Sequence, residues 1–234
     1  MADDRSLTDE QSVRHDLSSV IGHLSSVTNP SPPRLIVIGL LGGVASGKSL
    51  VAKQFCSLGA KLLDGDRTGH EVLRLPEVEQ AARRRWGDTI FGDDGRIDRK
   101  RLAKIVFAPP PSGPPELQYL EQLTHPLIGQ RLAEQVDQLR VAGNVKAAVL
   151  DAPVMVKAGW HTLCDRIVFV DAPREVRLER ARSRGWTDKD FAAREEAQES
   201  LEQKRQLADV VIDNSGSTEL TQAQVERFWH SLVG

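Results

Sequence analysis

The sequence predicts an α/β fold, a parallel five-stranded sheet flanked by helices on both faces. Three observations predict it. Short, continuously apolar runs recur along the chain and most end in Asp; helical stretches separate them; and the first run leads straight into a glycine-rich turn that opens a helix. Strands that are apolar throughout, rather than alternating, belong to a sheet covered on both sides.

In chain order, the strand candidates are Leu35–Leu40, interrupted only by Gly39, then Lys61–Leu63, Ala147–Leu150, Ile167–Val170 and Val210–Ile212. Ser49–Leu58, Glu116–Val141 and Arg174–Arg184 are helical stretches between them. Residues 67–142 hold no convincing strand, which makes them a helical insertion; within it, the proline-rich stretch from Ala108 to Pro115 is a loop. At the C-terminus Val225, Phe228, Trp229 and Leu232 have helical spacing and are expected to close the core.

The 234 residues include 31 Lys+Arg and 33 Asp+Glu, a formal net charge of −2, with 40% hydrophobic residues. This is the balance of a globular protein with one sizeable core. No apolar stretch approaches the roughly 20 residues that cross a bilayer, so a membrane protein is not expected. No Lys/Arg run supplies a phosphate-tracking surface, which argues against nucleic acid as a partner. Cys56 and Cys164 have no metal-ligand spacing and read as reduced thiols of a cytoplasmic protein.

Residues 1–33 differ from the body, residues 34–234. They carry five acids and two Arg, and end in Asn29-Pro30-Ser31-Pro32-Pro33. They have neither the basic start of a secretory signal nor the composition of a transit peptide. Val13, Leu17, Val20, Ile21 and Leu24 mark one helical stripe, read as a weakly ordered arm or a docking helix.

Gly42-Gly43-Val44-Ala45-Ser46-Gly47-Lys48-Ser49 matches G-x-x-x-x-G-K-[ST], a P-loop, and it stands between a strand and a helix as that motif requires. Glycines let backbone N–H groups reach phosphate oxygens, and the helix N-terminus adds positive potential. Lys48 is expected to reach the β- and γ-phosphates of a nucleotide and Ser49 to present its hydroxyl to Mg²⁺. Leu63-Asp64-Gly65-Asp66 ends the next apolar run where such a sheet opens toward ligand. One carboxylate there would accept the proton of an acceptor hydroxyl; the alternative is a turn held by Asp side chains. Arg177, Arg180 and Arg184, at i, i+3 and i+7, read either as a phosphate clamp on a lid helix or as a solvated charged face.

Taken together these segments closely resemble the dephospho-CoA kinase family. The resemblance runs from about Leu35 to Ser217 and includes Phe91-Gly92, the stretch Asp94 to Arg99, Val106-Phe107, Leu123-Thr124-His125-Pro126, Asp151-Ala152-Pro153, Gln198, Lys204-Arg205 and the stretch Val211 to Gly216. It implies ATP-dependent phosphorylation of the ribose 3′-hydroxyl of dephospho-CoA with Mg²⁺ as cofactor, by a monomer or small homo-oligomer. It also implies that Asp66 is the catalytic base, Asp64 its support, and Arg180 and Arg184 lid groups facing the transferred phosphate. Leu50 would follow the loop at the ATP site, with Asn214 and Gly216 near the adenine. Residues 67–142 would form the helical acceptor-binding insertion and residues 174–208 the helical lid. His125 would sit at the edge of the acceptor lobe, or would instead pack at a helix entry. Other readings of the P-loop are a kinase for a different nucleoside or metabolite, and a nucleotide-binding regulator without transfer activity.

Four positions depart from the family pattern. Leu41 stands for a usual Thr, Ala45 for a usual Gly, and Leu50 for a common Thr. Lys157 stands for a usual Glu, reversing a charge. If the acidic group there orients the acceptor or a metal-bound water, activity is altered; if it is half of an ion pair, a compensating residue is expected elsewhere.

Overall fold

The computed structural model describes residues 34–233; the helical stripe expected over residues 13–24 lies outside them. In chain order the elements begin with β1 (Ile36–Gly42), α1 (Lys48–Ser57), β2 (Lys61–Asp64), α2 (Gly65–Val72), α3 (Pro76–Trp86), α4 (Arg99–Val106) and α5 (Gly113–Ala142). They continue with β3 (Ala147–Asp151), β4 (Arg166–Asp171), α6 (Arg174–Ser183), α7 (Asp188–Glu196), α8 (Leu201–Gln206), β5 (Val210–Asp213) and α9 (Thr218–Val233). The sheet has five strands in the order β2-β3-β1-β4-β5, every pair parallel.

The alternation hidden inside the apolar runs appears once the two faces are separated. Ile38 and Leu40 of β1, Val149 of β3, and Val168 and Val170 of β4 pack with Val51 and Phe55 of α1 and Val225 and Trp229 of α9. Val37 and Leu41, Leu150, and Phe169 face the other way, onto Ile128, Leu132 and Val136 of α5. Each strand is sandwiched, so both side-chain sets are apolar. Phe55 is fully buried between Phe228 and Trp229, with ring centroids 6.2 and 6.5 Å away. Truncation of such a side chain to Ala costs about 3–5 kcal/mol. Gly39 is required by packing: a Cβ there would lie 2.8 Å from Cys164 Sγ and 2.8 Å from an Ile167 methyl.

Strand order positions the site. β1 connects leftward to β2 while β3 connects rightward to β4, so the crevice between β1 and β3 is a topological switch point at the strands' carboxyl ends. Gly42 and Asp151 end those two strands.

Between β2 and β3 the chain is helical, apart from an isolated antiparallel bridge between Phe91 and Ile97. Ala82, Ile90, Phe91, Leu102 and Val106 form a small second core beside α5. Helix α5 runs 30 residues through Pro126, longer at both ends than its periodicity predicts. His125 therefore stands mid-helix, which corrects the reading of it as a helix-entry residue. Pro126 has no N–H to give the Gln122 carbonyl. One turn away, Gly129 lets the Trp160 indole approach and donate to the His125 carbonyl at 3.2 Å.

Candidate active site

The glycine-rich loop from Gly42 to Gly47 takes its shape from backbone angles that side chains resist. Gly42 has φ +150° and Gly47, at the start of α1, φ +103°. A Cβ on Gly47 would collide with the Asn214 amide. Ala45 also lies in the left-handed region, at φ +57°, a strain of about 1 kcal/mol that glycine would not carry. This explains physically why glycine suits that position. Leu41, the neighbouring departure, is buried in the sheet core.

Besides Arg177, which donates to the Val44 carbonyl at 3.4 Å, three groups hold the loop. Asn214, buried after β5, donates its Nδ2 to the Ser46 carbonyl at 2.7 Å and accepts at Oδ1 from Thr221 Oγ1 at 2.8 Å. Arg180 spans the same two segments, donating to the Ser46 carbonyl at 3.2 Å and the Asn214 carbonyl at 2.7 Å. Lys48 Nζ donates to the carbonyls of Gly42 and Gly43, both at 3.2 Å. Among the described residues the N–H groups of Val44, Ala45, Gly47, Lys48 and Ser49 meet no acceptor, and the buried Ser46 Oγ is unpaired. Such a ring of free donors suits an anion.

Electrostatics point the same way. Burial pushes the Lys48 ammonium below its ordinary range; Asp151 opposes this, while Lys204, Arg177 and Arg184 reinforce it. Burial and the charge of Arg184 likewise lower Arg180. The exposed Arg184 thus acts on both cations from the end of α6. Cations crowded this closely favour a bound polyanion.

Across the crevice, Asp64 caps α2 by accepting from the Arg67 N–H at 2.9 Å, and Asp66 lies in the first turn. The Asx-type turn and the candidate catalytic pair are therefore the same structure: one carboxylate builds the turn and leaves the other available. Burial raises the Asp66 carboxyl above the usual range, as does repulsion from Asp64; His70 and Lys48 pull it down. Gly65 is forced by contact, since a Cβ would lie 2.5 Å from that of Ala152.

Of the residues singled out in the sequence, the structure brings Lys48, Asp64, Asp66, Arg180, Arg184 and the loop to one crevice, with Asn214 behind it. Arg177 does not join as a clamp. It is 4% exposed, donates to Glu195 Oε1 at 2.7 Å and to the Ala172 carbonyl at 3.2 Å, and sits over the Phe191 ring. It is a buried strut between α6 and α7 that also donates to the Val44 carbonyl of the glycine loop at 3.4 Å. His125 packs edge-on against Trp160 at 5.5 Å, and its electrostatic neighbours are Glu121 and Lys157. Gly216 follows β5 on an exposed turn.

Two residues gained weight only in three dimensions. Asp151 ends β3 beside the loop, its carboxyl raised by burial and by Asp66 and Asp64 and lowered by Lys48. Its sequence signal was the Asp closing an apolar run. Lys204, 2% exposed on α8, has Glu199 at 3.9 Å, and its charge acts on Lys48. Nothing in its local spacing marks it as buried.

A parallel sheet of this order, carrying the glycine loop at its switch point, places the molecule in the P-loop kinase class. The comparisons with known proteins narrow this. The family description for dephospho-CoA kinase matches residues 36–219. The dephospho-CoA kinase of Bacillus licheniformis is 38% identical over 195 residues, covering 82% of this chain and 94% of that protein. That of Aquifex aeolicus is 37% identical, covering 84% and 97%. Among solved structures, TT1252 from Thermus thermophilus aligns with a TM-score of 0.71 at 31% identity, over 86% of this chain and all of that one. The dephospho-CoA kinase from Campylobacter jejuni shares the fold with a TM-score of 0.59, at 23% identity over 84% of this chain and 97% of that one. The chain belongs to the dephospho-CoA kinase family.

Proposed function

We propose that this protein transfers the γ-phosphoryl group of ATP to the ribose 3′-hydroxyl of dephospho-CoA, giving CoA and ADP. The observation that carries the reading is an arrangement: the glycine loop with its free N–H groups and Lys48 follows β1, and the first turn of α2, which carries Asp66, follows β2 at the same carboxyl edge of the sheet, where the Lys48 charge reaches Asp66.

The triphosphate lies along the loop from Gly42 to Leu50, accepting from its free N–H groups, and Lys48 leaves the Gly42 and Gly43 carbonyls for phosphate oxygens. The adenine rests near Asn214 and Gly216, with Asn214 acting through the loop because its amide is already engaged. Asp66 accepts the 3′-hydroxyl proton as the acceptor oxygen bonds to phosphorus and the bond from phosphorus to the ADP oxygen breaks. Its raised pKa makes it a stronger base than an ordinary carboxylate. Arg180 and Arg184 stabilise the charge on the transferring group, and segment 174–208 closes over it as a lid. Asp64 holds the base by capping α2. Helix α5, which carries His125, packs against α2 and forms with residues 67–142 the acceptor side.

Ser49, exposed in the first turn of α1, and Asp151 at the end of β3 are hard oxygen donors flanking the loop. That donor set suits Mg²⁺, which takes one or two protein oxygens and otherwise phosphate and water. When bound, the ion neutralises charge on the β- and γ-phosphates. Among the described residues no helix is long and apolar enough to cross a membrane. The assigned setting is the cytoplasm, and the assigned state a monomer or small homo-oligomer. Two free cysteines accord with that setting, Cys164 being pushed up to about 12 by burial.

The test is a coupled assay of the purified chain, with and without residues 1–33, given ATP and dephospho-CoA. CoA formation that falls about 10²-fold or more in Asp66→Asn, with ATP binding retained, is the expected result. Absence of product from both the wild type and Lys157→Glu would overturn the reading.

A further inference from the structure

A cavity of about 420 Å³ opens in the helical insertion, beside α2 and apart from the glycine loop. Its polar lining is mainly basic: His70, Arg74, Arg96 and Arg99, with Asp94 as the acid. Arg96 is neutralised by Glu79 at 3.0 Å, and Asp94 is engaged by the Arg96 N–H at 3.1 Å. Arg74 and Arg99 have no carboxylate partner among the described residues; the Arg99 guanidinium instead rests on the His70 ring, 3.0 Å from Nδ1. The Arg96 N–H leaves the Asp94 charge in place, so Arg74 and Arg99 give the lining a net positive charge against that one carboxylate, and their two guanidinium groups suit a phosphate-type anion.

The chain builds this site deliberately. Gly95, at φ +72°, turns the segment after Phe91 back on itself, and the Gly92 N–H closes the turn on the Arg96 carbonyl at 2.8 Å. The bridge between Phe91 and Ile97 sets the register. Asp98 then caps α4, accepting from the Lys100 N–H at 2.8 Å, so Arg99 enters the cavity from the first position of that helix. From the other side, His70 lies four residues beyond Asp66 on α2, and Arg74 four beyond His70.

We propose that Arg74 and Arg99, with His70, bind the 5′-diphosphate of the acceptor nucleotide and thereby place its 3′-hydroxyl at Asp66. This rests on the proposed function above. Asp66 and His70 share a face of α2, about 6 Å apart along its axis. On the acceptor, four bonds lead from C3′ through C4′, C5′ and O5′ to the first phosphorus, a reach of about 5 Å at ordinary bond lengths. One helical turn therefore matches the span from the reacting hydroxyl to the diphosphate, whose two negative charges meet the two unpaired guanidiniums. The site distinguishes a nucleoside diphosphate derivative from a plain nucleoside.

The test uses the full chain and the variants Arg74→Gln, Arg99→Gln and Arg99→Lys, with both KM values measured at several salt concentrations. Each Gln variant is expected to raise the KM for dephospho-CoA about 10- to 100-fold and to leave that for ATP within about twofold. Arg99→Lys recovers part of the loss. The rise of acceptor KM with salt in the wild type flattens in the Gln variants, because the screened charges are gone. An unchanged acceptor KM in both Gln variants, or a parallel rise in the ATP KM, overturns the proposal. Arg74 is exposed on the turn after α2 and carries the test alone if Arg99→Gln does not fold. A wild type that makes no CoA refutes the proposed function; an active wild type with indifferent variants refutes only this site.

Discussion

Lys157 Nζ donates a 2.5 Å hydrogen bond to Glu121 Oε1, joining the segment after β3 to helix α5 across 36 positions of sequence. The charge reversed at Lys157 thus has its counter-charge. Both groups influence His125: burial lowers its pKa most, Glu121 opposes that and Lys157 adds to it.

Lys157→Glu would set two carboxylates against each other. Lys157 is about half exposed, so the loss is about 1 kcal/mol, or a fall of about 2–4 °C in thermal midpoint. Glu121→Lys in the same chain should restore most of it. A double variant no more stable than the sum of its parts would show that the pair is not coupled.

With Asp66 as the proposed base, the acid limb of the pH profile should follow its ionisation. A base must be ionised, and because burial and Asp64 raise Asp66, kcat/KM should begin to fall at a pH above the ordinary aspartate value of about 3.9. Asp64→Asn keeps the α2 cap but removes the repulsion, and should move that limb to lower pH. The raised pKa also has a stability sign: the folded state holds the proton more tightly than the unfolded one. The ionised carboxylate therefore opposes folding progressively as pH rises from the unfolded value through the folded one. Asp66→Asn should melt no lower than the wild type at pH 7; a marked fall would contradict the assigned environment.

Arg177 and Arg184 should separate cleanly. Arg177→Met leaves Glu195 without its buried partner, at a cost of about 3 kcal/mol, and lowers the melting temperature. Arg184→Gln, at an exposed helix end, should melt normally while kcat falls by about 10-fold or more. The reverse pattern would exchange the strut and lid roles.

Asn214→Ala removes the donor to Ser46 and the acceptor for Thr221, both in buried surroundings. The cost should be about 1–3 kcal/mol of stability, with a raised KM for ATP because the loop loses its lateral support. An ATP KM equal to that of the wild type would show that the loop keeps its shape without the Asn214 amide.

The sheet, the loop and the placing of the Asp64–Asp66 carboxylates at a strand end were legible in the sequence because each depends on short-range chemistry. Apolar runs of strand length, glycines where φ is positive, and an Asp at a strand end are properties of a few adjacent residues. The same reading could not sort Arg177 from Arg180. Spacing at i and i+3 places both on one helix face, but only the return of α7 with Glu195 and Phe191 buries the first, while the Ser46 and Asn214 carbonyls engage the second. It also left His125 between the edge of the acceptor lobe and a helix entry, since proline usually marks one; in the fold α5 runs through Pro126, and Trp160 packs on Gly129 one turn away.

The sequence by itself determined the class of fold, the nucleotide loop and the identities of Lys48, Asp64 and Asp66. Tertiary structure alone decided that Lys157 is paired, that Asp151 and Lys204 act on Lys48, and that Arg74 and Arg99 share a cavity one helical turn from Asp66. The physical reason is that charge and burial depend on neighbours distant in sequence. Local propensity selects elements, but only their packing sets which cations are neutralised and which are left to bind an anion.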